Sequence, residues 1–220
     1  MTTFSEENYL KSIFHLEKAF PSGVGTNVLA EEMETKASSV TDMLKKLSDK
    51  NLVEYKKYQG VKLSASGKVS AIEVVRKHRL WELFLVEKLN FGWDEVHDIA
   101  EQLEHIKSKK LTYELDKFLG FPTTDPHGDP IPDSEGRFKI SKRTLLAEMN
   151  RDETCICIGV RDSSAEFLQY LDRNGLGLGT EIKIIAKESF DQSIYVQIEG
   201  NEKYISSKIA NNLYVKRKNE

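Results

Sequence analysis

Four of the five histidines in this 220-residue chain lie where carboxylates can join them. His78 and Glu82 are four residues apart, a spacing that puts both on one face of a helix. Glu101, Glu104 and His105 sit at i, i+3 and i+4, and His97 lies four residues before Glu101. Asp125 and His127 belong to Phe121-Pro122-Thr123-Thr124-Asp125-Pro126-His127-Gly128-Asp129-Pro130-Ile131-Pro132, where four prolines hold a loop stiffly enough to place side chains. Carboxylate oxygen mixed with imidazole nitrogen, without thiol, suits Mn(II), Fe(II), Co(II) or Zn(II) rather than Cu(I). From Asp94 to Glu104 there are five acids (Asp94, Glu95, Asp98, Glu101, Glu104) and no Lys or Arg. Such crowding is costly unless a cation relieves it, and that cost is what lets a site act as a switch.

Each pair alone has a plainer reading, as a solvated surface pair. His15, between Phe14 and Leu16, reads as core or surface trim. The weight lies in the clustering of histidines with acids. Cys155 and Cys157 lie two apart in an alternating segment, on one face of a strand, and read as buried small residues without redox or zinc chemistry.

A second patch has the opposite charge. The net charge is −3, yet from Lys36 to Lys62 seven lysines stand against three acids. A basic block and an acidic block in one chain point to a polyanion and a cation as partners. In Ser38-Ser39-Val40-Thr41-Asp42-Met43-Leu44-Lys45-Lys46-Leu47 the apolar positions keep one helical face, so that Thr41, Asp42, Lys45 and Lys46 can face out. Ser39 followed by Asp42 resembles a capping box. Lys36, Ser38, Ser39, Thr41, Asp42, Lys45, Lys46, Lys56 and Lys57 are the candidate DNA-contacting residues, Asp42 having a capping role as its alternative reading.

The elements that must position these groups fall into three regions. Residues 1–73 read as helix, a short helix from Asn27 to about Glu34, the helix just described, and two strands, Leu52–Tyr55 and Val61–Ser64: a winged helix-turn-helix. Residues 74–140 read as a helical dimerisation and metal-binding domain. Val74, Val75, Leu80, Trp81, Phe84, Leu85 and Leu89 bring more apolar bulk than a small domain hides, so part of that face is expected to meet a second subunit. Residues 150–220 show strand patterns with a short helix from Ser163 to Leu171, and read as a small SH3-like β-barrel. The fold class is mainly α with β. No apolar run approaches 18 residues, and 39% hydrophobic with 30% charged residues describes a soluble protein, expected in the cytoplasm without a membrane partner.

Several of these segments together resemble the diphtheria-toxin-repressor family, and most closely its manganese-responsive branch with a C-terminal SH3-like (FeoA-like) domain. They are Glu7-Asn8-Tyr9-Leu10, His78-Arg79-Leu80-Trp81-Glu82, Val96-His97-Asp98, Glu101-Gln102-Leu103-Glu104-His105 and Pro126-His127-Gly128-Asp129-Pro130-Ile131-Pro132. The resemblance implies two metal ions per subunit. It places a primary site on Asn8, Glu101, Glu104 and His105 with His78 close by, and a second on Glu82, Asp125, His127 and Asp162. Position 8 is Asp in the manganese branch and Met in the iron branch, whereas this chain carries neutral Asn8. Iron-type repressors carry Cys at the position of Glu101, and close relatives carry Cys at that of Asp125, so both acids favour manganese ahead of ferrous iron.

The expectation is therefore a homodimeric, metal-dependent repressor of metal-uptake genes, which binds double-stranded operator DNA and takes no small organic substrate. A metal-independent winged-helix regulator is the alternative. A two-metal hydrolase would also assemble Glu, Asp and His from several helices, but no nucleophile, phosphate loop or cofactor fingerprint is present, and the chain reads as no enzyme.

Overall fold

The computed structural model describes residues 2–56, 59–139 and 142–218. The first helix, α1 (Phe4–Leu16), opens with a capping box: the Thr3 hydroxyl accepts from the Glu6 N–H and the Glu6 carboxylate accepts from the Thr3 N–H. Its stripe of Tyr9, Leu10 and Ile13 is buried against α2 (Thr26–Glu32), α3 (Ala37–Asp49) and the antiparallel hairpin β1 (Val53–Lys56) and β2 (Gly60–Leu63). This is the expected winged helix-turn-helix, with two local corrections. α2 starts at Thr26 behind Gly25, not behind Asn27. α3 starts at Ala37 behind Lys36 with no side-chain cap, so Ser39 already lies inside the first turn and the capping box with Asp42 does not form. Ala37 is a strong helix former and extends the helix backwards, while the Asp42 carboxylate pairs with Lys45 at 3.2 Å.

α4 (Ala65–Leu89) is capped by the Ser64 hydroxyl and ends at left-handed Asn90. It runs unbroken through position 73 and so joins the winged domain rigidly to the helical one. A Cβ on its Gly67 would lie 1.8 Å from the Leu52 carbonyl oxygen, so only glycine lets the helix start this close to the hairpin. α5 (Val96–Leu103) and α6 (Lys109–Phe118) follow, and Leu80, Leu83, Leu115 and Ile131 form a small core between α4, α6 and the proline-rich loop. Leu89, Leu111, Tyr113, Phe118 and Phe121 remain exposed around it.

The last third holds β3 (Thr144–Leu145), β4 (Thr154–Val160), α7 (Ala165–Arg173), β5 (Glu181–Lys187), β6 (Ile194–Ile198), β7 (Asn201–Ile205), α8 (Ser207–Ala210) and β8 (Leu213–Arg217). α7 starts two residues later than the pattern predicts and has no side-chain cap. The strands pair antiparallel in the order β3-β8-β4-β5-β6-β7. This is the small SH3-like domain, but its sheet stays open. β3 contributes only two residues before the chain turns into the 3₁₀ segment Leu146–Glu148, and no pairing between β3 and β7 occurs among the described residues. β3 and β7 carry no clear alternation and were not foreseen. Cys155 and Cys157 point into the sheet's core as free thiols, and burial pushes them up to about 12 and about 11, which leaves them inert. No helix among the described residues is long and apolar enough to cross a membrane.

Candidate metal centre and nucleic-acid interface

Three helices and one loop converge on the acidic side chains. α4 carries His78 and Glu82 one turn apart, both buried. His78 spans two acids: Nδ1 lies 2.6 Å from Glu104 Oε2 and Nε2 lies 2.9 Å from Glu82 Oε1. Glu104 caps α5 at its C-terminal end and is 0% exposed. His105, the next residue, turns Nδ1 toward Glu7 Oε2 of α1 at 2.7 Å. From α1 the Lys11 ammonium donates to Glu104 at 2.8 Å and also pairs with Glu101. Asn8 lies one turn before Lys11 on the same helical face.

Three polar atoms in this first cluster are buried without a hydrogen bond: Asn8 Oδ1, Glu104 Oε1 and His105 Nε2. Native interiors rarely leave such atoms unsatisfied, and doing so costs about 1–3 kcal/mol each. Glu104 Oε1 is 3.5 Å from that nitrogen. An amide oxygen, an imidazole lone pair and two carboxylates form a hard donor set, and these residues fit a divalent cation. His97 joins this group from α5: its ligand atoms, with those of His78 and Glu101, lie within 4.8 Å of one another. His97 also reaches the second cluster, with Nδ1 3.6 Å from Glu82, although its side chain is 58% exposed.

The second cluster is Glu82, Asp125 and His127, again with ligand atoms within 4.8 Å and all three buried. The proline-rich loop is held firmly. Asp125 Oδ1 accepts from the N–H groups of His127 and Asp129, both at 2.9 Å, and His127 Nε2 lies 2.7 Å from the Trp93 carbonyl. Gly128, at φ +85°, passes so close to β4 that a Cβ would lie 2.2 Å from the Ile158 carbonyl oxygen. Arg79 stands 3.4 Å from Asp125. Asp162 is not brought into this group; its carboxylate accepts from the Ser164 N–H at 2.9 Å in the turn before α7. A cavity of about 540 Å³ adjoins both clusters, between the winged domain, α4 and the loop after β4.

The electrostatics show charge held in place by protons. Burial alone would push His78 down, but the Glu104 and Glu82 carboxylates raise it to about 9. His127, also opposed by burial, is raised to about 9 by Glu82 and Asp125. Burial, with Glu82 and Asp129 as like charges, pushes Asp125 up to about 7. Glu82 and Glu104 are lowered by their histidine partners, against the effect of their burial.

In the winged domain, Lys36 at the start of α3 and Ser38, Ser39, Asp42, Lys45 and Lys46 within it are exposed, as is Lys56 at the end of β1. Thr41 is half-buried, with its hydroxyl donating to the Ala37 carbonyl at 2.9 Å. Lys57 lies outside the described residues. Because Lys36 supplies no side-chain cap, the first-turn N–H groups of α3 are left open to an anionic ligand. The other end of α3 is tied to α1, since Lys50 donates to both oxygens of buried Glu6, at 2.7 and 2.9 Å. That ammonium holds the Glu6 carboxyl below its usual range despite burial.

Glu7, Lys11 and the Glu6–Lys50 pair escaped the sequence reading. Glu7 and Lys11 sit at i−1 and i+3 of Asn8 and so flank a ligand position on α1. That spacing was the available signal for Lys11. Nothing local marks Glu6 as the partner of a lysine 44 positions away.

A winged helix-turn-helix fused through one long helix to hard-ligand clusters defines the class of metal-responsive DNA-binding regulators. Comparison with known proteins makes the class specific. Residues 1–61 match the iron-dependent repressor N-terminal DNA-binding domain, 64–133 the iron-dependent repressor metal-binding and dimerisation domain, and 144–217 the FeoA domain. The chain is 30% identical over 200 residues to the diphtheria toxin repressor of Corynebacterium efficiens, covering 83% of each. It is 34% identical over 126 residues to the iron-dependent repressor IdeR of Mycobacterium leprae, covering 57% of this chain and 54% of that protein, so this match spans about half of the relative's length. A solved manganese-dependent transcriptional repressor in complex with manganese superposes with a TM-score of 0.83 at 34% identity, covering 96% of this chain and 99% of that one. This chain belongs to the diphtheria-toxin-repressor family of metalloregulators.

Proposed function

We propose that this protein is a homodimeric transcriptional repressor whose hold on operator DNA depends on a divalent cation, manganese ahead of ferrous iron. The observation that carries the reading is the set of buried atoms without a hydrogen bond, Asn8 Oδ1 on α1 with Glu104 Oε1 and His105 Nε2 at the end of α5. Asn8, Glu101, Glu104 and His105 would hold one ion, with His78 and His97 beside them. Glu82, Asp125 and His127 would hold the other, and Asp162 would need to turn away from Ser164 to join them. A bound divalent ion supplies positive charge that lets these carboxylates stay ionised and close together.

The chain's own residues connect that site to the reading helix. Glu7 fixes the orientation and tautomer of His105 through Nδ1, the usual means by which an outer carboxylate positions a ligating imidazole. The neighbouring residue, Glu6, grips Lys50 at the end of α3. The first turn of α1 therefore touches the ligand set on one side and the reading helix on the other, and Asn8 draws that turn toward α5. In this reading Lys36, Lys45, Lys46, Lys56 and Lys57 contact phosphates, while Ser38, Ser39, Thr41 and Asp42 stand where base edges are reached. The exposed apolar strip of Leu111, Tyr113, Phe118 and Phe121 suits a second copy, which would give two reading heads and a palindromic operator. To move the reading heads from 1:99 to 99:1 operator-ready, metal must favour that state by about 5.5 kcal/mol. The oxygen-rich donor set favours manganese, and the solved relative described above carries it.

Fluorescence anisotropy on labelled operator-like DNA tests the proposal, with Mn(II), anaerobic Fe(II), Zn(II) and a chelator. Affinity that arises only with metal is expected, and the ion effective at the lowest free concentration identifies the signal. Affinity unchanged by chelation would leave a metal-independent regulator.

A further inference from the structure

Lys11 places a positive charge at the deepest point of the acidic cluster. Its side chain is 12% exposed, and its ammonium pairs with both Glu101 and Glu104, the second of which has no exposed surface at all. Glu104 also meets His78 at 2.6 Å and His105 at 3.5 Å. An uncompensated buried carboxylate is strongly unfavourable, and Lys11 and His78 are the nearest groups of opposite charge that offset Glu104 in the metal-free chain. The lysine reaches them from α1, one turn from Asn8, on a flexible stem that can swing without moving the helix.

We infer that Lys11 is an internal counter-cation that competes with the metal ion for Glu101 and Glu104 and so sets the concentration at which the first cluster fills. The inference rests on the metal-responsive reading above. A carboxylate lone pair donated to an ammonium proton is not free for a cation, so uptake at this cluster is an exchange in which Lys11 must leave. The exit is present: Lys11 borders the cavity, whose rim also carries exposed Glu32 and Glu34 as alternative partners. The exchange weakens binding, and it keeps α1 seated on α5 when metal is scarce, since the same two acids attract the winged domain in both states. Lys11 thus makes the site respond to abundance, where an unopposed cluster would scavenge metal at any concentration.

The test is calorimetric titration of Mn(II) into the full-length metal-free protein, in an Asp125→Asn background so that one class of site is read. Lys11→Met and Lys11→Gln are compared with the parent and with Lys183→Gln, an exposed lysine of β5 far from the clusters. Both Lys11 variants are expected to bind Mn(II) at least tenfold more tightly, to melt at lower temperature without metal and to gain more on adding it. Lys183→Gln is expected to match the parent. Unchanged or weaker Mn(II) affinity in Lys11 variants that still melt cooperatively without metal would overturn the inference and make Lys11 a structural tie. Should Lys11→Met not fold without metal, the polar, uncharged Lys11→Gln and the Mn(II)-induced rise in melting temperature decide the matter. A parent protein that takes up no Mn(II) would overturn the metal reading itself, an outcome distinct from a parent that binds and variants that do not differ.

Discussion

The two clusters lie on either side of His78, yet they are built in opposite ways. The first draws on α1, α4 and α5, spans the junction between two domains, contains a lysine and leaves three buried polar atoms without a hydrogen bond. The second uses one helix and a loop clamped by its own backbone bonds, by Gly128 against β4 and by the Trp93 carbonyl. A ligand set that crosses a junction changes shape when the junction moves, and so can report its state. A set on a clamped loop is already organised and binds with little rearrangement. On the proposed function, the first cluster is expected to act as the switch and the second as the anchor that stiffens the frame around it.

The sharpest way to break this comparison is to remove one buried acid. Glu104→Gln takes a carboxylate from Lys11, His78 and the neighbourhood of His105 together, leaving two cations less compensated. We expect a loss of about 3 kcal/mol in stability without metal and a loss of Mn(II)-dependent operator binding by a factor on the order of a hundred or more. Thermal melting and anisotropy read the two effects separately. A Glu104→Gln protein that still responds fully to Mn(II) would transfer the switch to the second cluster.

A smaller effect separates the clusters through protons. The folded pKa of both His78 and His127 is raised to about 9, above the ordinary value near 6.5, so each contributes stability that is full below about pH 6.5 and lost as the pH climbs to about 9. Each shift corresponds to about 3 kcal/mol. Asp125, raised to about 7, adds a decline of the same sign between about pH 4 and pH 7. Lowered Glu82 and Glu104 act the other way and withdraw stability as the solution is acidified below their usual range. Chemical unfolding of the chelated protein should therefore show stability falling from pH 6.5 to pH 9. His127→Gln should flatten part of that slope and His78→Gln another part, and a slope untouched by either variant would remove the histidines as its cause.

How much of this was legible follows the range of each interaction. His78–Glu82 and Glu101–Glu104–His105 are helical neighbours whose spacing alone puts them on common faces, and the proline-rich loop announces a rigid platform. The winged helix follows from periodicity, and the helix-start errors at Asn27 and Ser39 are local, since plausible capping residues stood one or two positions inside the true ends. What was hidden is long-range: Glu7 meeting His105 across 98 positions, Lys11 meeting Glu104 across 93, and Trp93 meeting Asp172 across 79. His97 was visible as a candidate, but its place between the two clusters needed coordinates. The open sheet was hidden for a different reason, because a two-residue strand such as β3 has too few positions to show alternation.

The mildest test of the comparison lies in the third domain, whose Val160 N–H donates to the His127 carbonyl of the second cluster at 2.9 Å. The Trp93 indole N–H donates to both oxygens of Asp172 on α7, at 3.1 and 3.0 Å, while Gln169 donates to Asp94 at 2.8 Å. The carbonyl of the same Trp93 receives His127 Nε2, and the ring stacks beside that imidazole at 6.2 Å. α7 therefore steadies a second-cluster residue through one intermediate side chain. Asp172→Asn keeps the shape and removes the charge, and because the contact is exposed the cost should be about 1 kcal/mol or less. The expected result is a two- to fivefold loss of Mn(II) affinity at the second cluster, read by calorimetry together with a change in tryptophan emission, and an unaltered first cluster. Equal weakening at both would mean that the third domain braces the whole core, and the division between a switch and an anchor would then have to be drawn elsewhere in the molecule.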